Sequence, residues 1–206
     1  MAKFVMLLSL AAIAVPSAAS ADIPSAARSS VDPCVVLCPA GDLALHVIVR
    51  NAADIPQPGS VVDLEFSACP EFHLCTPLGG EPYTHLSGPG FDLVRTTANG
   101  QGAAMLPVRA GGGCPAGLAR VYADGVPLAL RAIASPDQNG DGIVQALDAT
   151  LLQSKIGTSD PTGDFDGDGM VTSADLAILN AHVGHACALP TPVRPNTWGR
   201  LKMLYR

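Results

Sequence analysis

Aromatic and charged residues are scarce in this chain. Of its 206 residues, 4% are aromatic, with a single Trp, and 15% are charged, whereas 48% are hydrophobic. This composition excludes an intrinsically disordered chain, which lacks the apolar area needed to offset the entropy lost on folding. The 12 basic residues are dispersed and are outnumbered by 18 acidic ones. Because nucleic-acid binding requires a clustered basic face, we expect no nucleic-acid partner.

Recognisable catalytic motifs are also missing. The sequence contains no nucleophile elbow, and no paired-carboxylate motif stands out before residue 135. The acidic residues of that region fall at predicted strand edges and turns, where solvation explains them. We therefore expect a protein that is not an enzyme.

Long apolar runs are confined to the N-terminus. Residues 4–15 are apolar apart from Ser9, Lys3 supplies a positive charge before them, and residues 19–21 are small. This arrangement predicts a bacterial-type signal peptide over residues 1–21, since the run is too short to span the roughly 30 Å hydrocarbon core of a bilayer. We expect a mature chain that begins at Asp22, is secreted to the extracellular space or the cell surface, and carries no transmembrane segment.

The cysteines fit such an export route. An even number of cysteines in an exported chain indicates disulfides, and the chain has six: Cys34, Cys38, Cys69, Cys75, Cys114 and Cys187. The spacing leaves the connectivity open. One option closes two small loops, Cys34–Cys38 and Cys69–Cys75, and leaves Cys114 to join Cys187 across the two halves of the chain. Zinc binding is the competing use, but the paired CxxC pattern typical of zinc sites is lacking.

Charge divides the chain near Ser135. From Ser135 to Cys187 there are eight Asp, one Lys, and no Arg or Glu, whereas the remainder carries 11 basic and 10 acidic residues. We predict one domain over residues 30–134 and a second over residues 135–187. Residues 188–206 then form an extended linker and a basic C-terminal tail.

The first predicted domain has the pattern of short strands. Leu43, Leu45, Val47 and Val49 alternate with residues expected on the solvent face, and similar runs follow. Asp124-Gly125 separates two such runs, which predicts a β-hairpin because both turn residues tolerate positive φ. Strands at this spacing are typical of a β-sandwich.

This region also resembles a known family. Residues 51–66 and 97–108 are similar to bacterial immunoglobulin-like repeats, whose strand pattern of Thr, Gly and Ala is matched here by Thr97, Gly100 and Ala103. The resemblance implies an immunoglobulin-like β-sandwich.

The second predicted domain repeats one twelve-residue pattern. The two copies begin at Asp137 and Asp164, and each has oxygen donors at positions 1, 3, 5 and 12 with Gly at position 6. Calcium takes six to eight oxygen ligands, and a loop can wrap the ion by turning alternate side chains inward. Position 7 would contribute its backbone carbonyl. The predicted ligands of two Ca²⁺ ions are Asp137, Asn139, Asp141, Ile143 and Asp148 in the first loop, and Asp164, Asp166, Asp168, Met170 and Asp175 in the second.

The repeat supports three further expectations, on relative calcium affinity, on pairing of the loops and on the helices that follow them. The second loop has four carboxylates against three in the first, so we expect it to bind calcium more tightly. Val occupies position 8 of both loops (Val144 and Val171), and we expect the two loops to pair there as a short antiparallel bridge. Each loop precedes a helical pattern, and the predicted buried faces are Leu147, Leu151, Leu152 and Ile156 after the first loop, and Leu176, Leu179 and Val183 after the second.

A repeated loop-helix unit with Asp at position 12 resembles the dockerin type I domain, over about residues 135–184. The resemblance implies a mainly β fold with a small α-helical module, bound calcium, and docking onto a cohesin-like extracellular protein. Cellulosomal members usually carry a Ser-Thr pair at positions 10 and 11. Those positions hold Ala146-Leu147 and Ser173-Ala174 here, so Leu147 either contributes to a different specificity or packs on the β-domain.

Three functions remain open on the sequence alone. The first is a non-enzymatic assembly or surface-attachment protein that docks through the calcium module. The second is a calcium-stabilised structural domain with no docking partner. The third is an accessory to extracellular polysaccharide degradation. His182, His185 and Cys187 could in addition be a transition-metal cluster, but no fourth ligand is evident, and we expect them to be structural.

Overall fold

A computed structural model describes residues 23–189, which form eleven strands and two helices. The predicted signal peptide and residues 190–206 of the predicted tail lie outside the described residues. Within residues 23–189 no helix is long and apolar enough to cross a membrane. The strands are β1 (Ser30–Val31), β2 (Val35–Val36), β3 (Leu45–Ile48), β4 (Val61–Glu65), β5 (His73–Leu74), β6 (Thr84–Gly88), β7 (Phe91–Thr97), β8 (Ala103–Leu106), β9 (Ala110–Gly111), β10 (Cys114–Ala123) and β11 (Val126–Ala134). The helices are α1 (Ala146–Lys155) and α2 (Ser173–Ala181).

The strands form the predicted sandwich. Six of the described strands make one sheet in the order β2-β11-β10-β4-β7-β6, and three make another in the order β1-β3-β8. Val47 of β3, Leu64 of β4 and Val121 of β10 are at most 1% exposed and belong to a single buried cluster, so the two sheets share one core. The predicted fold class, mainly β with a small α-helical module, is confirmed, and the β-rich part is consistent with an immunoglobulin-like domain.

The sequence patterns explain the local strand geometry. Along β3, Leu45 and Val47 are buried while His46 and Ile48 are exposed, as the period-two alternation predicts. The hairpin between β10 and β11 turns at Asp124-Gly125, where φ is 48° and 78°. Both residue types tolerate this left-handed region, which most side chains avoid.

A second, smaller core lies under the two helices. It contains Val144, Leu152, Phe165, Val171 and Leu179 from the Asp-rich region, and it also includes Cys38 from the sandwich side. The predicted helix faces are partly wrong. Leu152 and Leu179 are buried, but Leu147, Ile156 and Val183 are 51%, 44% and 51% exposed. Two short helices bury only one narrow stripe each, so the residues at the margins of the predicted faces remain in solvent.

The expected cysteine pairing is wrong. The disulfides join Cys69 to Cys114 and Cys75 to Cys187, while within the described residues Cys34 and Cys38 are free thiols. Cys34 and Cys38 lie on either side of the extended strand β2, where a rise of about 3.3 Å per residue separates them by about 13 Å. That distance is far beyond the reach of a disulfide.

Long-range strand pairing produces the observed bonds. Antiparallel pairing of β4 with β10 brings the segment after β4, with Cys69, beside the start of β10 at Cys114. The Thr76 amide donates to the Ala188 carbonyl at 2.7 Å, which aligns Cys75 with Cys187. Cys187 does cross-link the two halves of the chain as predicted, but its partner is Cys75 rather than Cys114.

Removal of the long-range disulfide tests this connectivity. Cys75→Ala combined with Cys187→Ala should lower the free energy of unfolding by about 5 kcal/mol, because this bond closes the longer of the two loops. Denaturant unfolding should show a smaller loss for Cys69→Ala combined with Cys114→Ala, and little change for Cys34→Ala. Non-reducing peptide mapping that joined Cys34 to Cys38 would contradict the assignment.

Candidate functional site

Each of the two Asp-rich loops leads directly into a helix. The last aspartate of each loop connects that loop to its helix. Asp148 and Asp175 are the third residues of α1 and α2. One oxygen of each carboxylate accepts the N-cap amide, from Gln145 at 2.8 Å and from Thr172 at 2.7 Å. These bonds complete capping boxes that satisfy otherwise unpaired donors at the helix start. Both carboxylates are fully buried.

The other oxygen of each carboxylate reaches back to the loop. Asp148 Oδ1 accepts from the Asn139 amide at 3.2 Å, and Asp175 Oδ1 accepts from the Phe165 amide at 2.6 Å. A single side chain at position 12 therefore fixes both the start of the helix and the start of the loop.

The first aspartate of each loop is the centre around which the backbone turns. The Asp137 carboxylate accepts from the Asp141 amide at 3.2 Å and the Gly142 amide at 2.8 Å. Asp164 accepts in the same way from Gly167 at 2.7 Å and Gly169 at 2.9 Å. Position 6 has φ of 87° in the first loop and 94° in the second. That conformation explains the glycine at this position.

The carboxylates of the second loop converge. One oxygen from each of Asp164, Asp166 and Asp168 lies within 4.8 Å of the other two. Their hydrogen bonds within the loop come from backbone amides, as from Asp168 to Asp166 Oδ1 at 3.2 Å and from Met170 to Asp168 Oδ1 at 2.8 Å. Three like charges at this separation repel, and a hard cation that prefers oxygen ligands relieves that repulsion. The donor set therefore fits calcium.

The first loop offers a related donor set with less charge. Asp141 Oδ2 accepts from the Asn139 side-chain amide at 3.0 Å and from the Gln145 side-chain amide at 2.8 Å. Burial raises the pKa of Asp137 to about 6, with further contributions from the neighbouring charges of Asp148 and Asp141, while backbone amides partly offset the effect. A buried negative charge on Asp137 is unfavourable unless a positive group lies beside it.

The remaining predicted ligands are positioned by the same turns. Ile143 and Met170, which would contribute backbone carbonyls, have side chains that are 44% and 43% exposed and lie outside both cores. Their amides donate to Asp141 Oδ1 at 3.0 Å and Asp168 Oδ1 at 2.8 Å, respectively. All predicted ligand positions thus lie within two similarly folded loops.

The predicted bridge between Val144 and Val171 is wrong. The Val144 amide donates to the His185 carbonyl and its carbonyl accepts from the Gly184 amide, both at 2.9 Å. The Val171 amide donates to Thr158, and its carbonyl accepts from Gly157, both at 2.8 Å. Each loop therefore pairs with the segment that follows the helix of the other loop. This exchange keeps both valines buried in the shared core and preserves a twofold-like arrangement.

One group of side chains could not be found from the sequence. Cys187, which the sequence places near His182 and His185, is bound in a disulfide. The two histidines instead meet Asp42 and Cys38. Burial, reinforced by the nearby Asp42 carboxylate, raises the pKa of the Cys38 thiol to about 12. The only sequence signal was the spacing of the two histidines, because Cys38 and Asp42 lie far away in the chain.

Comparison with known families identifies the Asp-rich region. The family model of the dockerin type I domain matches residues 135–184. This part of the chain is a dockerin type I module. The match covers about a quarter of the chain and does not extend to the sandwich. No curated protein and no solved structure matches the chain at a significant level.

Dockerin type I domains share several general properties. Dockerin type I domains bind calcium and are non-catalytic docking modules whose partners are cohesins. Proteins that contain them are typically extracellular or attached to the cell surface.

The position-6 glycines allow a matched test of the loop geometry. A Cβ at Gly142 would lie 2.9 Å from the Cys187 carbonyl oxygen and 3.1 Å from Leu189 Cγ, whereas a Cβ at Gly169 meets nothing within 4 Å. Gly169→Ala should therefore cost only the left-handed backbone strain, about 1 kcal/mol. Gly142→Ala should cost clearly more. Equal losses in denaturant unfolding with calcium present would contradict this difference between the loops.

Proposed function

We propose that the dockerin module binds two Ca²⁺ ions. The first would be held by Asp137, Asn139, Asp141, the Ile143 carbonyl and Asp148, and the second by Asp164, Asp166, Asp168, the Met170 carbonyl and Asp175. The observation that supports this most is the shared architecture of the loops, in which position 1 gathers the loop amides and position 12 caps the helix. The converging oxygens of Asp164, Asp166 and Asp168 support it independently.

The second site should be the tighter one. It has four carboxylates, whereas the first has three and an amide. In the first loop the Asn139 and Gln145 amides already donate to Asp141, and these bonds must rearrange before Asp141 can face a cation. Both the charge and this rearrangement favour the second loop.

We propose that the protein is exported, is not an enzyme, and docks through its helices onto a cohesin-like extracellular partner. Its domains would be the sandwich of residues 30–134 and the module of residues 135–187. Positions 10 and 11 of both loops are exposed at the helix starts. Leu147 is 51% exposed rather than packed on the sandwich. An exposed apolar side chain at a recognition position favours a partner with an apolar contact surface.

A purely structural module is the second candidate. The Cys75–Cys187 disulfide and the presence of Cys38 in the module's core attach the module firmly to the sandwich. In that case calcium would stabilise the fold, and no partner would bind the helices.

Calcium titration calorimetry tests the sites directly. We expect two ions per chain, and a higher melting temperature in calcium than in chelator, because ligands that bind only the folded state stabilise it. Asp164→Ala combined with Asp168→Ala should remove the tighter site. Asp160→Ala should leave both, since the Asp160 carboxylate pairs with Lys155 Nζ at 3.3 Å outside the loops. Unchanged binding in the double variant would reject the ligand assignment.

The docking role is tested at Leu147. Leu147→Asp should weaken binding to purified type I cohesin domains at least tenfold, because it places a charge in an apolar contact, without changing calcium stoichiometry. Leu130→Asp is the matched control, since Leu130 is 59% exposed on strand β11 of the sandwich. Surface plasmon resonance with a panel of cohesins provides the measurement. If no cohesin binds the unmodified protein in calcium, the structural alternative is favoured.

A further inference from the structure

Three metal-ligating side chains, Cys38, Asp42 and His185, converge between the sandwich and the module, and His182 contacts Asp42 beside them. Cys38 and Asp42 lie on a turn after β2, which the Gly41 amide closes by donating to the Cys38 carbonyl at 2.9 Å. His182 is the C-cap of α2, and the His185 amide donates to the His182 carbonyl at 3.0 Å. Two tight turns therefore face each other. The first presents Cys38 and Asp42, and the second presents His185.

Ligand atoms of Cys38, Asp42 and His185 all lie within 4.8 Å of one another, as they would around one metal ion. Asp42 Oδ2 lies 3.3 Å from His182 Nε2 and 3.4 Å from His185 Nδ1, and Cys38 Sγ lies 3.5 Å from His185 Nδ1. Zinc bonds of about 2.0–2.3 Å in a tetrahedron place neighbouring nitrogen, oxygen and sulfur ligands roughly 3.3–3.6 Å apart. The Asp42–His185 and Cys38–His185 distances match edges of that tetrahedron. A zinc ion held by these three side chains would take water as its fourth ligand.

His182 contacts the Asp42 carboxylate from outside the ligand set. Its Nδ1 lies 2.8 Å from the Ile178 carbonyl oxygen, which can only accept, so Nδ1 carries a proton and the ring is held in place. Its Nε2 lies 3.3 Å from Asp42 Oδ2. Contacts of this kind orient the ligating carboxylates of metal sites.

We propose that Cys38, Asp42 and His185 form a zinc site that joins the sandwich to the dockerin module. Nitrogen and sulfur ligands select a transition metal over calcium. The Asp42 and His185 side chains are 42% and 34% exposed, which leaves a path for the ion. The C-terminus of α2 also favours a positive charge there. This site uses none of the proposed calcium ligands.

A catalytic Cys-His-Asp arrangement explains the same residues less well. Such a relay needs the thiol and the carboxylate on opposite nitrogens of the imidazole ring. Here Cys38 Sγ and Asp42 Oδ2 both approach His185 Nδ1. The thiol is also fully buried, so a substrate could not reach it.

Cobalt substitution provides the test, with the full chain, its disulfides intact and calcium in excess to fill the loops. One Co²⁺ should bind per chain and produce tetrahedral d–d bands together with a thiolate-to-cobalt charge-transfer band. Zn²⁺ should displace it. Cys38→Ser should abolish the charge-transfer band, whereas Cys34→Ser should retain it. His185→Gln should weaken Zn²⁺ binding by more than about 100-fold, and His46→Gln should not change it.

Several outcomes would overturn the proposal. The first is the absence of Co²⁺ bands in calcium, which would mean that the four residues form a hydrogen-bonded cluster only. The others are a charge-transfer band that persists in Cys38→Ser, and a Cys34–Cys38 disulfide found by mass spectrometry of the unreduced, alkylated protein. If Cys38→Ser fails to fold, the partly exposed His185→Gln still decides the question through Zn²⁺ affinity.

Discussion

Repulsion among the aspartates of residues 135–187 is the constraint on which the structure of the module depends. The single Lys or Arg of this region, Lys155, contacts Asp160, Gln138 and Thr162 rather than the predicted ligand carboxylates of the loops. Backbone amides stabilise the buried carboxylates but supply no net charge. The raised pKa of Asp137 reflects that cost. Bound calcium would supply the missing positive charge, and its binding free energy would then contribute to folding.

The position-12 aspartates link the charged loops to the helices through hydrogen bonds. Because Asp148 and Asp175 cap α1 and α2 while holding the loops, an ion in either loop would also set the position of the adjoining helix. The exposed positions 146–147 and 173–174 lie at those helix starts. Calcium binding at the proposed sites would therefore also position the proposed docking surface.

Local spacing explains what could be predicted from the sequence. The loop ligands, the glycines at position 6 and the Asp124-Gly125 hairpin each depend on residues close together in the chain. The disulfides do not, because Cys75 and Cys187 are brought together by pairing between distant segments. The Val144 contact with residues 184–185 and the group around Asp42 likewise depend on how the two halves pack. No spacing within a single segment encodes these contacts.

The repeat is symmetric in sequence but not in its surroundings. The Gly112 amide donates to the Asp137 carbonyl at 2.7 Å, and a Cβ at Gly111 would collide with the Asp137 carboxylate. The Cys187 amide also donates to the Gly142 carbonyl at 2.8 Å. The sandwich and the disulfide segment thus restrain the first loop, whereas Asp166 and Asp168 of the second are exposed. Because these contacts already hold the first loop in place, that loop would lose less conformational entropy on binding an ion. This advantage partly offsets its lower negative charge. Binding at the proposed second site would therefore draw more on carboxylate charge, and binding at the proposed first site more on the packing of the module against the sandwich.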